Sequence, residues 1–300
     1  MPRFLVNRPV VVGVDGTDGS LAALDWAAAH ASDHRCPLRI VHVASGRGLA
    51  PSEVQAAVYR RLAEHHFPQP PSTTWHLRYG PRSETMIDEA KRARLLVLGH
   101  RRPQPLLGST LLGVLSRGVG QVVVVPASWR FGRRRTGHFV VGTKDDTDAR
   151  RVLDIALKLA VRQRCTVRVI RAIEQPAPRK GRSLLDETHR LETVALNRLR
   201  VALAASLRRH PDAVVESESI QGDPAVILSH AARDADLLVI GGRPRYGLPT
   251  MIGSTTESIM MEVDRPVLVV RPGSLRLRLR PLFQGVRGNR SQRARPLVRS

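Results

Sequence analysis

Short runs of β-branched and other apolar residues, each bounded by Gly, Pro or a polar cluster, alternate along this chain with longer stretches whose apolar positions recur at helical spacing. The runs Val10–Val14, Leu38–Val43, Thr74–Arg78, Leu95–Leu98 and Val122–Val125 predict strands. Between the first two, Leu24, Ala27, Ala28 and Ala31 stand at i, i+3, i+4 and i+7, one apolar stripe of an amphipathic helix. Val122–Val125 shows no polar alternation, so both faces of that strand must be covered. Strands buried on both sides and joined by helices imply a parallel sheet with helices on each face, a doubly wound α/β domain.

The pattern occurs twice. A shift of 129 residues lays Val11, Val12 and Gly13 on Val140, Val141 and Gly142, and Leu24, Asp25, Ala27 and Ala31 on Leu153, Asp154, Ala156 and Ala160. The same shift matches Arg35 and Cys36 to Arg164 and Cys165. Farther on the shift grows to 142, placing Gly80, Leu95, Leu96 and Gly99 on Gly222, Leu237, Leu238 and Gly241, and then to 145, placing Gly108, Ser109 and Thr110 on Gly253, Ser254 and Thr255. The insertions fall where loops belong. One small unit used twice predicts two tandem doubly wound domains, each with a five-stranded parallel sheet. The Pro/Gly/Arg-rich stretch Pro126–Gly137 divides them, giving a first domain over 1–128, a basic linker over 129–137, a second domain over 138–272 and a basic tail over 273–300. Pro176–Arg182 reads as a connection inside the second copy, and Leu275–Arg280 alternates Leu and Arg as a short edge strand would.

Composition narrows the class. A length of 300 residues suits two domains, and 42% hydrophobic with 25% charged residues is a globular mixture. No apolar run reaches the roughly 20 residues that span a bilayer, and the start lacks the apolar core of a secretory signal, so a cytoplasmic protein without membrane insertion is expected. Two cysteines, Cys36 and Cys165, without ligand spacing exclude a disulfide framework or a zinc cluster, and read as packing residues. The formal charge of +22 is uneven: residues 271–300 hold nine arginines and no acid, and 130–135 hold four more. Such a tail fits an electrostatic contact with nucleic acid, anionic lipid or an acidic partner.

In an open parallel sheet, ligands bind beyond the carboxyl ends of the strands. Three segments of the first copy should meet there: Asp15-Gly16-Thr17-Asp18-Gly19-Ser20, the loop opening at Gly99, and Gly108-Ser109-Thr110 at the start of the last helix. Glycines admit close backbone approach, and a helix start offers unpaired N–H groups to a phosphate, so a nucleotide pocket is indicated. There is no GxGxxG, and Gly137–Lys144 only imitates a P-loop. Nor is there a Ser-His-Asp arrangement at strand ends, a carboxylate pair or an HExxH, so no enzyme is expected. Local roles compete with these readings. Asp15, Asp18 and Ser20 fit a turn and a helix cap. Ser254-Thr255-Thr256-Glu257 fits a capping box, which would occupy the N–H groups of the second copy's last helix, whereas Leu112 leaves the Ser109 start freer. His65-His66 reads as a solvated helix end, and His42 as facing a helix or the domain boundary.

Taken together, VVVGVDGTDGS and PLRIVHV at the beginning, LLVLG, GST and VVVVP later, and DLLVIGG, GSTTES and RPVLVV in the second copy resemble the universal stress protein family, over about nine-tenths of the chain. The resemblance implies a tandem member of adenine nucleotide alpha hydrolase-like fold, whose domains pair through their final strands within one chain or as a homodimer. It also implies ATP binding in some members, with an acid after the first strand for the adenosine end and a G-x2-G-x9-G-S/T loop around the phosphates. Asp15 then takes the acidic position, Gly99 the first loop glycine, and Gly108 with Ser109 the closing pair, beside Thr110. Arg102 replaces the second glycine and the loop is shortened, so Arg102, with Arg101 and His100, would offer side-chain cations in place of a backbone cradle. In the second copy Lys144 stands where the acid belongs and Pro244 where the second glycine belongs. The implied function is a non-enzymatic stress-response regulator or protective factor that binds ATP in its N-terminal domain; the alternative is a scaffold without nucleotide, acting through the arginine-rich tail.

Overall fold

The structure, a computed structural model, describes residues 8–44, 48–67, 71–101, 108–117, 120–132, 135–144, 147–173, 184–242 and 252–271. Its first half runs β1 (Val10–Gly13), α1 (Asp18–Asp33), β2 (Leu38–Ala44), α2 (Pro51–Ala63), β3 (Thr73–Tyr79), α3 (Arg82–Arg92), β4 (Leu95–His100), α4 (Ser109–Arg117) and β5 (Gln121–Pro126). The second repeats the order with β6 (His138–Gly142), α5 (Thr147–Gln163), β7 (Thr166–Ile173), α6 (Leu184–Leu207), β8 (Val215–Gln221), α7 (Pro224–Ala231), β9 (Leu237–Gly241), α8 (Ser254–Glu262) and β10 (Val267–Val270). Arg102, Pro176–Arg182, Pro244 and Leu275–Arg280 lie outside the described residues. Among those described, no helix is long and apolar enough to cross a membrane.

Each half is the expected five-stranded parallel sheet, but the two are one sheet: β3-β2-β1-β4-β5-β10-β9-β6-β7-β8. The join is antiparallel, Val124 opposite Val267, Val123 opposite Leu268 and Val122 opposite Val269. Pairing of the final strands, left open between one chain and two, occurs here within the chain. Each of these valine runs, left as an edge, would expose unpaired backbone and two apolar faces; joining them removes both edges.

Side chains alternate across this sheet into two apolar layers. Val12, Leu24, Val123, Val141, Leu153 and Leu268 belong to the layer under α1, α2, α5 and α6. Val11, Leu96, Val122, Val140, Leu238 and Val269 belong to that under α3, α4, α7 and α8. The repeat reaches details of backbone. Arg35 and Arg164 both take left-handed conformations, with φ of 49° and 55°. The next N–H in each half, of Cys36 and of Cys165, then bonds back to Ala31 and Ala160 in the helix just ended, at 3.0 and 2.9 Å. Both thiols are buried and unpaired, and burial raises their pKa.

The expectation for one histidine is corrected. His65 is not a solvated helix end: its Nε2 lies 3.0 Å from Asp25 Oδ1 and its ring stacks on Phe131 at 4.2 Å. Asp25, fully buried on α1, also accepts bonds from Arg61 Nε at 3.0 and 3.1 Å and Nη2 at 2.7 Å. A carboxylate inside a core requires such partners, and they are drawn from the helix end nearest to it. Only His66 remains exposed. His42, expected to face a helix or the domain boundary, does the former: it is buried on the side of β2 that α1 and α2 cover, away from the boundary, its Nδ1 2.9 Å from the Val14 carbonyl oxygen and its ring parallel to Trp75.

His30 and His34, at the end of α1, are held neutral chiefly by burial and then by nearby cations, Arg94, Arg135 and Arg162. The His34 pKa falls to about 4 and that of His30 lies well below 6.5. In the unfolded chain both titrate near 6.5, so between about pH 6.5 and 4 the unfolded state binds more protons. Stability is therefore complete above about pH 6.5 and falls with acidification, by at most about 1.4 kcal/mol per pH unit for each histidine. Urea midpoints recorded from pH 7.5 to 4.5 should show this slope, and a His30→Gln, His34→Gln chain should show a flatter one.

Candidate functional site

The loop after β1 is organised by its own polar atoms. Asp15 Oδ1 accepts from the Thr17 hydroxyl at 2.7 Å and from the Thr17 N–H at 3.1 Å. That turn aims Thr17 Oγ1 at the start of α1, where it accepts from the Ser20 N–H at 3.3 Å. Thr17 is thus the cap, correcting the assignment of Asp18 and Ser20. Asp18 opens the helix, and Ser20 is buried in the first turn, its hydroxyl donating to the Thr17 carbonyl and accepting from the Asp15 N–H. Gly16 has φ of 84°, a turn conformation that side chains strain. Burial alone would raise the Asp15 pKa, but hydrogen bonds from Thr17 and Ser20 and the positive charge of Arg82 outweigh it, and the carboxyl titrates below its ordinary value.

Gly99 is required by a neighbouring backbone as well as by any close approach of a ligand. A Cβ there would lie 2.1 Å from the carbonyl oxygen of Gly19, so the end of β4 meets the first turn of α1 backbone to backbone. This contact seats the Asp15 turn beside the start of α4. There the first intrahelical bond runs from the Leu112 N–H to the Gly108 oxygen, leaving the N–H groups of Ser109, Thr110 and Leu111 ahead of the helical ladder.

Asp15, Gly99 and Thr110 line one cleft of about 100 Å³ at the carboxyl edge of the first half. Gly108 and Ser109 adjoin it as exposed residues at the head of α4, and a Cβ on Gly108 would meet nothing within 4 Å. Arg82 and Met86, which the sequence reading missed, complete the wall from α3. The available signal was position: Arg82 opens the helix after β3, at the same sheet edge as Asp15. Val14, Val41 and Leu98 supply apolar surface. The cleft thus pairs a small apolar recess with an ionised acceptor, a guanidinium and helix-start donors. Among the described residues no group of His, Cys, Asp and Glu could hold a metal ion.

The second half is built differently. Lys144, exposed, occupies the position of Asp15, and with Arg150, Arg171 and Arg198 it lines a wider cleft of about 630 Å³. The capping box expected at Ser254 does not form. Gly253 is the N-cap and carries no side chain, Ser254 is already the first helical residue, and the Glu257 N–H bonds to the Gly253 carbonyl at 3.0 Å. The helix starts one residue too early for the Ser/Glu pair to serve it.

Comparison with known proteins agrees with this architecture. The model of the family described as "Universal stress protein family" matches residues 7–126 and 136–271. Universal stress protein Rv1996 of Mycobacterium tuberculosis is 26% identical over 309 residues, covering 88% of this chain and 95% of the relative. A universal stress protein of Mycolicibacterium smegmatis is 26% identical, covering 91% and 100%. Among solved structures, a universal stress protein from Archaeoglobus fulgidus superposes with a TM-score of 0.63 at 17% identity over 88% of this chain and 98% of its own. The functionally unknown protein PA1789 of Pseudomonas aeruginosa gives 0.61 at 18% identity over 91% and 95%.

Proposed function

The chain belongs to the universal stress protein family, and from that premise we propose that it is a non-enzymatic stress-response protein whose first half binds ATP. The observation that carries this reading is the convergence of Asp15, Gly99 and Thr110, from three separated segments, on one cleft. Val14, Val41, Met86 and Leu98 offer the purine an apolar surface, and Asp15 offers the adenosine end an ionised acceptor. Arg82 and the first N–H groups of α4 would hold phosphate oxygens, the guanidinium as a paired donor and the helix start as an oriented dipole. At about 100 Å³ the cleft is well under the roughly 300 Å³ of pockets that enclose a drug-sized ligand, so it takes the base and leaves the phosphates at the rim. Asp15 is kept ionised and engaged with Thr17, which suits an acceptor and not a general acid.

Calorimetric titration of the full chain with ATP tests this reading. We expect one ATP per chain and at least a tenfold loss of affinity in Asp15→Ala. Asp15→Asn retains an oxygen for Thr17 and separates loss of charge from loss of the turn. A chain ending at Arg271 should bind ATP equally well, with little dependence on salt. Absence of heat from the full chain would refute the proposal. Binding that vanishes with residues 272–300 and weakens steeply with salt would instead establish the arginine-rich segment as the contact.

A further inference from the structure

A third cavity, of about 290 Å³, lies over the β5/β10 join on the side of α1 and α5, and shares no lining residue with the Asp15 cleft or the Lys144 cleft. Matched positions of the two halves face it: His30 and Leu159, Arg94 and Asp236, Val123 and Leu268. It therefore straddles the axis relating the halves, yet its two sides have diverged in character.

The first-half wall is aromatic and cationic. Trp26 stacks on His30 with centroids 4.9 Å apart and rings 12° from parallel. Trp129 and Phe131, brought in by the segment joining the halves, add two more aromatic surfaces. The acids at the cavity are committed elsewhere. Asp33 pairs with Arg135 at 3.4 Å, and Asp236 accepts from the Thr136 N–H and hydroxyl and the Gly137 N–H, at 2.8 to 3.1 Å. Arg94 borders the same space, and among the described residues its guanidinium has no hydrogen-bond or ion-pair partner. The indole N–H groups of Trp26 and Trp129 are likewise without a partner there. An apolar recess between domains, with aromatic faces and a few convergent donors, is the ordinary form of a small-molecule site. The donors here are cationic or neutral, so the complementary ligand is an anion, and the aromatic walls select a flat ring.

We propose that this cavity binds a small planar aromatic carboxylate, its ring held by Trp26, Trp129 and Phe131 and its charge by Arg94. Such an occupant touches both halves and the segment between them, so binding tightens the join between domains. This site is independent of the nucleotide reading.

The test is calorimetric titration of the full chain with 2-naphthoate, alongside 2-naphthamide, which keeps the ring without the charge, and cyclohexanecarboxylate, which keeps the charge without the aromatic ring. One naphthoate per chain should bind at least tenfold more tightly than either control, and saturating ATP should leave that affinity unchanged. Arg94→Gln should reduce naphthoate to the level of naphthamide. Ala29→Phe, which fills the cavity from α1, should abolish binding while circular dichroism and the thermal midpoint show a folded chain. The proposal is overturned if millimolar naphthoate gives no binding, if naphthoate and naphthamide bind alike, if ATP displaces naphthoate, or if a folded Ala29→Phe chain binds as the parent does.

Discussion

A Leu268→Asp chain is expected to lose most of its folded population at room temperature. Leu268 is fully buried at the centre of the sheet, opposite Val123, in an apolar layer shared by both halves. An unpaired carboxylate there costs several kcal/mol after relaxation, and the lost leucine packing adds to it, against a total stability of about 5–15 kcal/mol for a typical domain. The companion Leu268→Ala removes only packing and should cost about 2–5 kcal/mol. Urea unfolding followed by circular dichroism separates the two, and size-exclusion chromatography reports whether the halves part before they unfold. An aspartate variant with the parent's urea midpoint would show that the join contributes little to holding the halves together.

Gly99→Ala should be nearly as damaging, although it adds a single methyl group. The new carbon would sit 2.1 Å from a backbone oxygen of α1, and a carbonyl in a helix cannot swing aside as a side-chain tip does. Either α1 or β4 must shift, at a cost at or above the upper end of the roughly 1–3 kcal/mol usual for overpacking. Because α1 carries Thr17 and Ser20, the same displacement disturbs the Asp15 turn, and ATP affinity should fall with stability. The matched substitution Gly241→Ala is the control. Its Cβ would approach only Val152 Cγ2, at 3.4 Å, an adjustable side chain. That variant should stay within about 1 kcal/mol of the parent. Equal urea midpoints for the two alanine variants would contradict the backbone contact between Gly19 and Gly99.

The duplication, the order of strands and helices, and the doubly wound class were legible because they rest on short-range patterns. A strand buried on both faces must be a continuous apolar run, as at Val122–Val125, and a helix on a sheet must repeat its apolar residues at i, i+3 and i+4, as at Leu24–Ala31. Such patterns also located Asp15, Gly99 and Thr110 at one sheet edge, since chain order and sheet handedness bring those loops together.

Distances across the fold were not encoded in that way. Gly99 read as a loop glycine admitting close approach of a ligand, and only the packing of α1 on β4 shows a glycine demanded by a neighbouring backbone. His65 looked solvated until Asp25, forty positions earlier in the chain, was found beneath it. Arg82 and Met86 carried no motif and entered the cleft because α3 lies against its side. The cap at Thr17 and the absent box at Ser254 turned on a shift of one residue in where a helix begins, which composition does not resolve. The amino-acid order by itself determined which faces of each element are apolar, because that is a property of spacing along the chain. Which apolar face meets which, and so the single ten-stranded sheet and the cavity over its centre, was decided by tertiary packing, because contacts between distant segments depend on shape and charge at both partners together.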